Sequence, residues 1–144
     1  MFFRYETVVE TCVNASFLGS LLKVLYNRLT LTKGQIALAS RLLASEVFGP
    51  APESKLTVID AASKALSYLG LRAEVSIEKG VLTVSLPCPA TECVLREICP
   101  VPYFVAASVD LLSGVKCYPV QGGNGTVVSL SDGKCTFKLR VYEV

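Results

Sequence analysis

Apolar positions along this chain recur first at helical spacing and then at strand spacing. From Asn14 or Ser16, either suited to a helix cap, Phe17, Leu18, Leu21, Leu22 and Leu25 repeat every three to four residues. A second helix is predicted over Lys33 to Phe48, with Ile36, Ala39, Leu43 and Val47 on one face, and Gly49-Pro50-Ala51-Pro52 ends it. A third starts at Thr57, where Thr57-x-x-Asp60 has the form of a capping box. It presents Val58, Ala61, Ala62, Ala65, Leu66 and Leu69, and Gly70-Leu71 has the form of a glycine C-cap. Residues 1 to 13 fit a strand, through Phe3, Tyr5, Thr7 and Val9, or a helical turn.

Alternation with a period of two then takes over in two places. Arg72 to Leu86 reads as a hairpin turning at Lys79-Gly80, which sets Ile77 opposite Leu82, Val75 opposite Val84 and Ala73 opposite Leu86. The closing hairpin turns at Asp132-Gly133, pairing Leu130 with Cys135, Val128 with Phe137 and Thr126 with Leu139. Ser129, Ser131, Lys134, Thr136, Lys138 and Arg140 take its wetter face, as Glu74, Ser76, Glu78, Thr83 and Ser85 do in the first hairpin. Between the two lies an apolar helix from about Tyr103 to Ser113, preceded by Cys99-Pro100-Val101-Pro102 and closed by Gly114. Two hairpins with one oily face each are expected to join. The prediction is an α+β fold: one antiparallel sheet with helices packed on one face, N-terminal helices first.

The chain has 144 residues, the size of a single domain, 1–144. Residues 1–48 supply N-terminal helices expected to form a dimer, and 57–144 supply a cysteine-rich core of helix and sheet. At 51% hydrophobic and 18% charged residues it carries more apolar side chains than one small domain readily hides, so a homodimer through residues 17–47 or a ligand cavity is expected. The charge of +2 is spread without blocks, and a nucleic-acid partner is not expected. Met1-Phe2-Phe3-Arg4-Tyr5-Glu6 carries charge where a signal peptide has an apolar run. Phe17 to Tyr26 is broken by Lys23 and too short to span a bilayer, so the reading is a soluble cytoplasmic protein with no membrane partner. Histidine and tryptophan are absent and Asn and Gln scarce, a thermophile-like usage.

Three chemistries are open to the cysteines. Cys99 and Cys135, with two of Cys88, Cys93 and Cys117, form a candidate thiolate metal site for zinc or an iron–sulfur centre. The spacings match no paired Cys-x-x-Cys knuckle, and disulfides or plain buried thiols are the other two readings. Without histidine, the common cysteine–histidine dyad is impossible and no catalytic residue is assigned. Asp60, Asp110 and Asp132 read as a helix first-turn residue, an exposed helix position and a turn, and the glycines at 122, 123 and 125 as a flexible loop.

Taken together, Leu69-Gly70-Leu71 leading into a hairpin, Cys99 before an apolar helix ending in Gly114, and Asp132-Gly133-Lys134-Cys135-Thr136-Phe137 resemble the 4-vinyl-reductase domain family over roughly residues 66–144. That family comprises small-molecule-binding modules akin in fold to Golgi trafficking-particle subunits and haem-based nitric-oxide sensors. Its closing Gly-x-x-Cys-x-Phe element is one residue longer than the version here. Cys99 and Cys135 sit where family metal ligands would, but the family's Glu-x-x-Cys step is replaced by Gly122 to Val128, so the family zinc site does not carry over whole. The resemblance implies a non-catalytic module that takes a small hydrophobic ligand. The expected cavity lies between the 103–113 helix and the sheet, lined by Tyr103, Phe104, Val105, Ser108, Cys117 and Phe137, with room left by Ala106 and Ala107.

Two further functions fit the element order. Three helices and a hairpin over Thr30 to Leu86 also describe a winged-helix DNA-binding regulator, with Leu31 to Ala37 opening its first helix pair. Its recognition helix, however, offers Lys64 alone within it, flanked by Lys55 and Arg72. The other is a structural protein organised around the cysteines.

Overall fold

A computed structural model describes residues 15–88, 93 and 95–142; the ambiguous stretch 1–13 and the cap candidate Asn14 lie outside them. The helices are α1 (Ala15–Arg28), α2 (Lys33–Phe48), α3 (Val58–Tyr68) and α4 (Pro100–Ser113). The strands are β1 (Glu74–Glu78), β2 (Val81–Pro87), β3 (Lys116–Pro119), β4 (Ser129–Ser131) and β5 (Lys134–Tyr142). They form one antiparallel sheet in the order β1–β2–β5–β3, with β4 also on β5, and the fold is α+β as expected. No helix among the described residues is long and apolar enough to cross a membrane.

Both hairpins turn where the sequence places them. Lys79 and Gly80 take φ of 51° and 75°, Asp132 and Gly133 take 53° and 72°, so each loop has both central residues in the left-handed region, as a type I′ turn requires. The first ladder follows the expected register through Ile77–Leu82 and Val75–Val84. The second follows it only through Leu130–Cys135. Thr126 does not face Leu139; Pro119 of β3 does. The glycine-rich segment folds back on itself instead, with Gly122 N–H donating to Thr126 C=O at 2.8 Å and Gly125 N–H to Gly122 C=O at 2.9 Å. Val127 N–H then turns to Arg96 C=O at 2.6 Å, which takes it out of the ladder and frees half of β5 for β3. Val128 and Phe137 are nonetheless both buried, on the side shared by Val84 and Leu139.

Caps follow the sequence closely. The Thr57 hydroxyl accepts from Asp60 N–H at 3.1 Å. At the other end of α3, Leu71 N–H reaches Leu66 C=O and Gly70 N–H reaches Ser67 C=O, a Schellman motif with Gly70 at φ 72°. Thr32 and Gln35 close a full capping box on α2.

Two expectations need correction. Helix α4 begins at Pro100, three residues before Tyr103, because proline at the first positions of a helix lacks only an N–H that has no intrahelical partner there. On α2 the buried line is Ile36, Ser40 and Ala44, whereas Ala39 and Leu43 are exposed and Val47 half-buried. The small Ser40 and Ala44 form an i, i+4 ridge facing the core, and a close approach of α2 to α4 favours small side chains over the oilier stripe.

Helix α4 is the centre of the molecule, since every residue from Pro102 to Val109 is buried. It packs against α2, α3, β3 and β5. Phe104 joins it to its helical neighbours through an aromatic cluster, with ring centroids 6.2 Å from Phe48 and 5.8 Å from Tyr68. The chain between α2 and α3 returns along its end, where Leu56 N–H donates to Leu112 C=O at 2.9 Å.

Candidate ligand and cysteine sites around the central helix

Between α4 and the sheet the expected cavity is closed by packing. Val105, Ser108 and Val109 have no exposed surface, and the Ser108 hydroxyl is spent on Phe104 C=O at 2.8 Å. Phe104 is held in the aromatic cluster. Phe137 is buried and borders a separate shallow groove of about 260 Å³ beneath residues 120–129.

Open space lies instead on the flank of α4, where it meets α2 and β3. A cleft of about 130 Å³ is lined by Ala37 and Arg41 from α2, Tyr103, Ala106, Ala107 and Asp110 from α4, and Cys117, Tyr118 and Pro119 from β3. Of the six residues expected at a ligand, Tyr103 and Cys117 are therefore brought together there. Phe104, Val105, Ser108 and Phe137 are not. The alanines read from sequence as leaving room, Ala106 and Ala107, form its floor.

Polar groups mark one side of the cleft. Arg41 pairs with Asp110 at 3.1 Å, and the Asp110 side chain is only 29% exposed, so the reading of Asp110 as an exposed helix position is corrected. The Cys117 thiol donates to Ala106 C=O at 3.5 Å, and burial, with a further push from Asp110, raises its pKa to about 12. Burial raises Tyr103 as well, with Tyr26 of α1 adding to it. At neutral pH the cleft thus presents a neutral thiol, a neutral phenol and an ion pair. Those groups suit hydrogen bonding and orientation; they include no free base to activate a nucleophile. The sequence reading misses Arg41 and takes Asp110 for an exposed helix position, because nothing local pairs them: they are 69 positions apart.

The other described cysteines gather at the opposite, N-terminal end of α4. Cys99 is its N-cap residue, and Cys135 lies on the core-side face of β5. Cys88 follows β2 and donates its N–H to Gly133 C=O at 2.8 Å, which sets it diagonal to Cys135 on the same face. Burial raises Cys99 to about 12, against a lowering hydrogen bond from the Val101 backbone, and the charges of Cys93 and Cys135 raise it further. Cys135 is raised to about 11 by burial, then by Cys88 and Cys93. Cys135 is within electrostatic reach of Cys88, Cys93 and Cys99, and Cys99 of Cys93 as well. The five described cysteines are free. As placed, the described residues include no three metal-ligating side chains that converge.

The glycine-rich loop is tied down by α2, where Lys33 Nζ donates to Gly125 C=O at 2.6 Å and to Gln121 Oε1 at 3.2 Å. Lys33 is thereby occupied with the loop's own acceptors. The chain matches no known protein family, and searches of curated proteins and of solved structures find no relative for it.

Proposed function

We propose that this protein is a small-molecule binding or sensing module, regulatory and non-catalytic, that works as a homodimer through α1 and α2. The observation that carries the reading is the alanine-floored cleft beside the Arg41–Asp110 pair. Its volume of about 130 Å³ is close to that of an engineered cavity of about 150 Å³ that takes benzene. A ligand of that size has one ring or a short branched chain. Its apolar body lies on Ala106 and Ala107, and a polar end meets Arg41, Asp110 or the Tyr103 hydroxyl.

Dimerisation is supported by the outer face of the two first helices. Phe17, Leu18, Leu21 and Val24 of α1 and Leu38, Leu42 and Leu43 of α2 are all at least 45% exposed. Seven large apolar side chains on two helices exceed what a monomer ordinarily leaves in water. The winged-helix reading has less support. Its hairpin, β1–β2, continues into β5, and the inner side of α3 is spent on burying Ala61, Ala62, Ala65 and Leu66.

Native mass spectrometry of gently purified protein, followed by dye displacement with a panel of single-ring and short branched-chain compounds, tests the reading. Displacement that is lost on Arg41→Ala supports it. An empty protein from which no compound displaces the dye overturns it.

A further inference from the structure

The helices cover one face of the sheet and leave the other open. On that open face β5 presents Lys134, Thr136, Lys138, Arg140 and Tyr142, and the ladders fix what lies beside each. Arg140 stands between Val81 of β2 and Tyr118 of β3, and Tyr142 beside Lys116. Lys138 faces Thr83, and Thr136 lies between Ser85 and Ser129. The middle of this face is therefore hydroxyl-lined, with Ser85 Oγ and Thr136 Oγ1 3.3 Å apart.

Four cations and two tyrosines surround that floor. Lys116, Lys134, Lys138 and Arg140 are all exposed, and among the described residues none forms an ion pair. The acids of this face, Glu74 and Glu78, lie on β1, two strands from β5 and so about 10 Å away, roughly one Debye length. Lys134 to Arg140 spans about 20 Å of strand, too long for a single phosphate group. Tyr118 and Tyr142 sit edge to face with centroids 5.7 Å apart. They are 55% and 54% exposed, large rings left in water beside Arg140 and Lys116.

A cationic stripe beside exposed aromatic rings on an open sheet face matches a chain that alternates negative charge with planar rings. We infer that the open face binds single-stranded nucleic acid, RNA or DNA, with phosphates along Lys134, Lys138, Arg140 and Lys116 and a base stacked on the tyrosine pair. A duplex hides its base faces and offers nothing for the tyrosines to stack on. A bilayer surface would want many aliphatic side chains among the cations; this face has Val81 beside Arg140 and Pro87 beside Lys134, outnumbered by hydroxyls. The near-neutral charge of the whole chain gave no sign of the stripe, because the pleat of β5 sorts its cations onto one side.

Fluorescence anisotropy of a labelled twelve-nucleotide uridine-rich RNA, titrated with the full chain between 50 and 200 mM salt, tests the inference. With about three or four phosphates contacted, log affinity should fall against log salt with a slope of about −2 to −3. Lys138→Gln with Arg140→Gln should weaken binding about tenfold or more and flatten the slope. Tyr142→Ala should weaken it about tenfold and leave the slope unchanged, with thermal unfolding near wild type because the ring is exposed. A duplex of the same sequence should bind more weakly than the single strand. Any of three results overturns the inference: no binding at 50 mM salt, equal binding to heparin or to vesicles containing phosphatidylserine, or a Tyr142→Ala variant that binds like wild type. The cleft shares Tyr118 with this face, but Lys138, Arg140 and Tyr142 do not line it, so variants at those three leave the cleft ligand to be read separately.

Discussion

Arg41 of α2 and Asp110 of α4 meet at 3.1 Å beside the cleft, and their pairing ties α2 to the buried central helix. The Arg41 side chain is 63% exposed, so solvent screens the pair and its contribution to stability is small, about 0.2–1 kcal/mol. Asp110→Asn should therefore leave the denaturation midpoint close to wild type. It should change dye displacement from the cleft far more, by several-fold, because the polar end of the ligand loses its partner. Chemical denaturation and the displacement assay, run on the same preparation, check both halves.

Ala107 tests whether the cleft is real space. It is 8% exposed and lies on the cleft floor. Ala107→Leu should place its added carbons in the cleft, hold stability or raise it slightly, and abolish dye displacement. A loss of about 1–3 kcal/mol in urea unfolding would show that the site was already full, as overpacking does.

The thiols make stability fall in alkali. Cys99 and Cys117 are raised to about 12 and Cys135 to about 11, from an ordinary 9.0. Below pH 9 both folded and unfolded chains hold these protons, and the stabilisation is fully present. Between pH 9 and about 11–12 the unfolded chain releases them while the folded chain does not, so Cys99 and Cys117 each cost up to about 1.4 kcal/mol per pH unit, and the more exposed Cys135, screened by solvent, costs less. Denaturation midpoints measured from pH 8 to 11 should drop steadily above pH 9. Cys117→Ala should remove part of that drop, and a flat profile would contradict the buried, protonated state of these groups.

The apolar face of α1 and α2 predicts self-association. Sedimentation equilibrium at micromolar concentration should give twice the chain mass, and Leu42→Glu combined with Leu21→Glu should give a folded monomer. Both positions are exposed, Leu42 at 61% and Leu21 at 45%, so the charges enter water in the monomer and are buried only in the dimer. A wild-type monomer at that concentration would rule out the dimer.

Local requirements were legible in the sequence because a few adjacent residues satisfy them alone. Lys79-Gly80 and Asp132-Gly133 announce their turns through the need for two positive φ values, Gly70-Leu71 announces the end of α3, and Gly114 the end of α4, at φ 74°. With the turns in place, the alternation of β2 and β5 settled which side chains enter the core. What required the tertiary structure was every choice among partners distant in the chain. Helix α2 carries two apolar stripes, and only its docking on α4 decides that Ser40 and Ala44 go inward and Leu43 outward. The outer half of β5 had two candidate partners, and the fold-back of Gly122 to Val127 hands it to β3. The small residues of α4 promised space without saying on which side. The packing of Val105 and Ser108 against the sheet closes one side and leaves the cleft by Arg41 and Cys117 on the other. Turns and caps are decided within a few residues, whereas cavities, ion pairs and the gathering of Cys88, Cys93, Cys99 and Cys135 depend on contacts that exist only once the elements have packed.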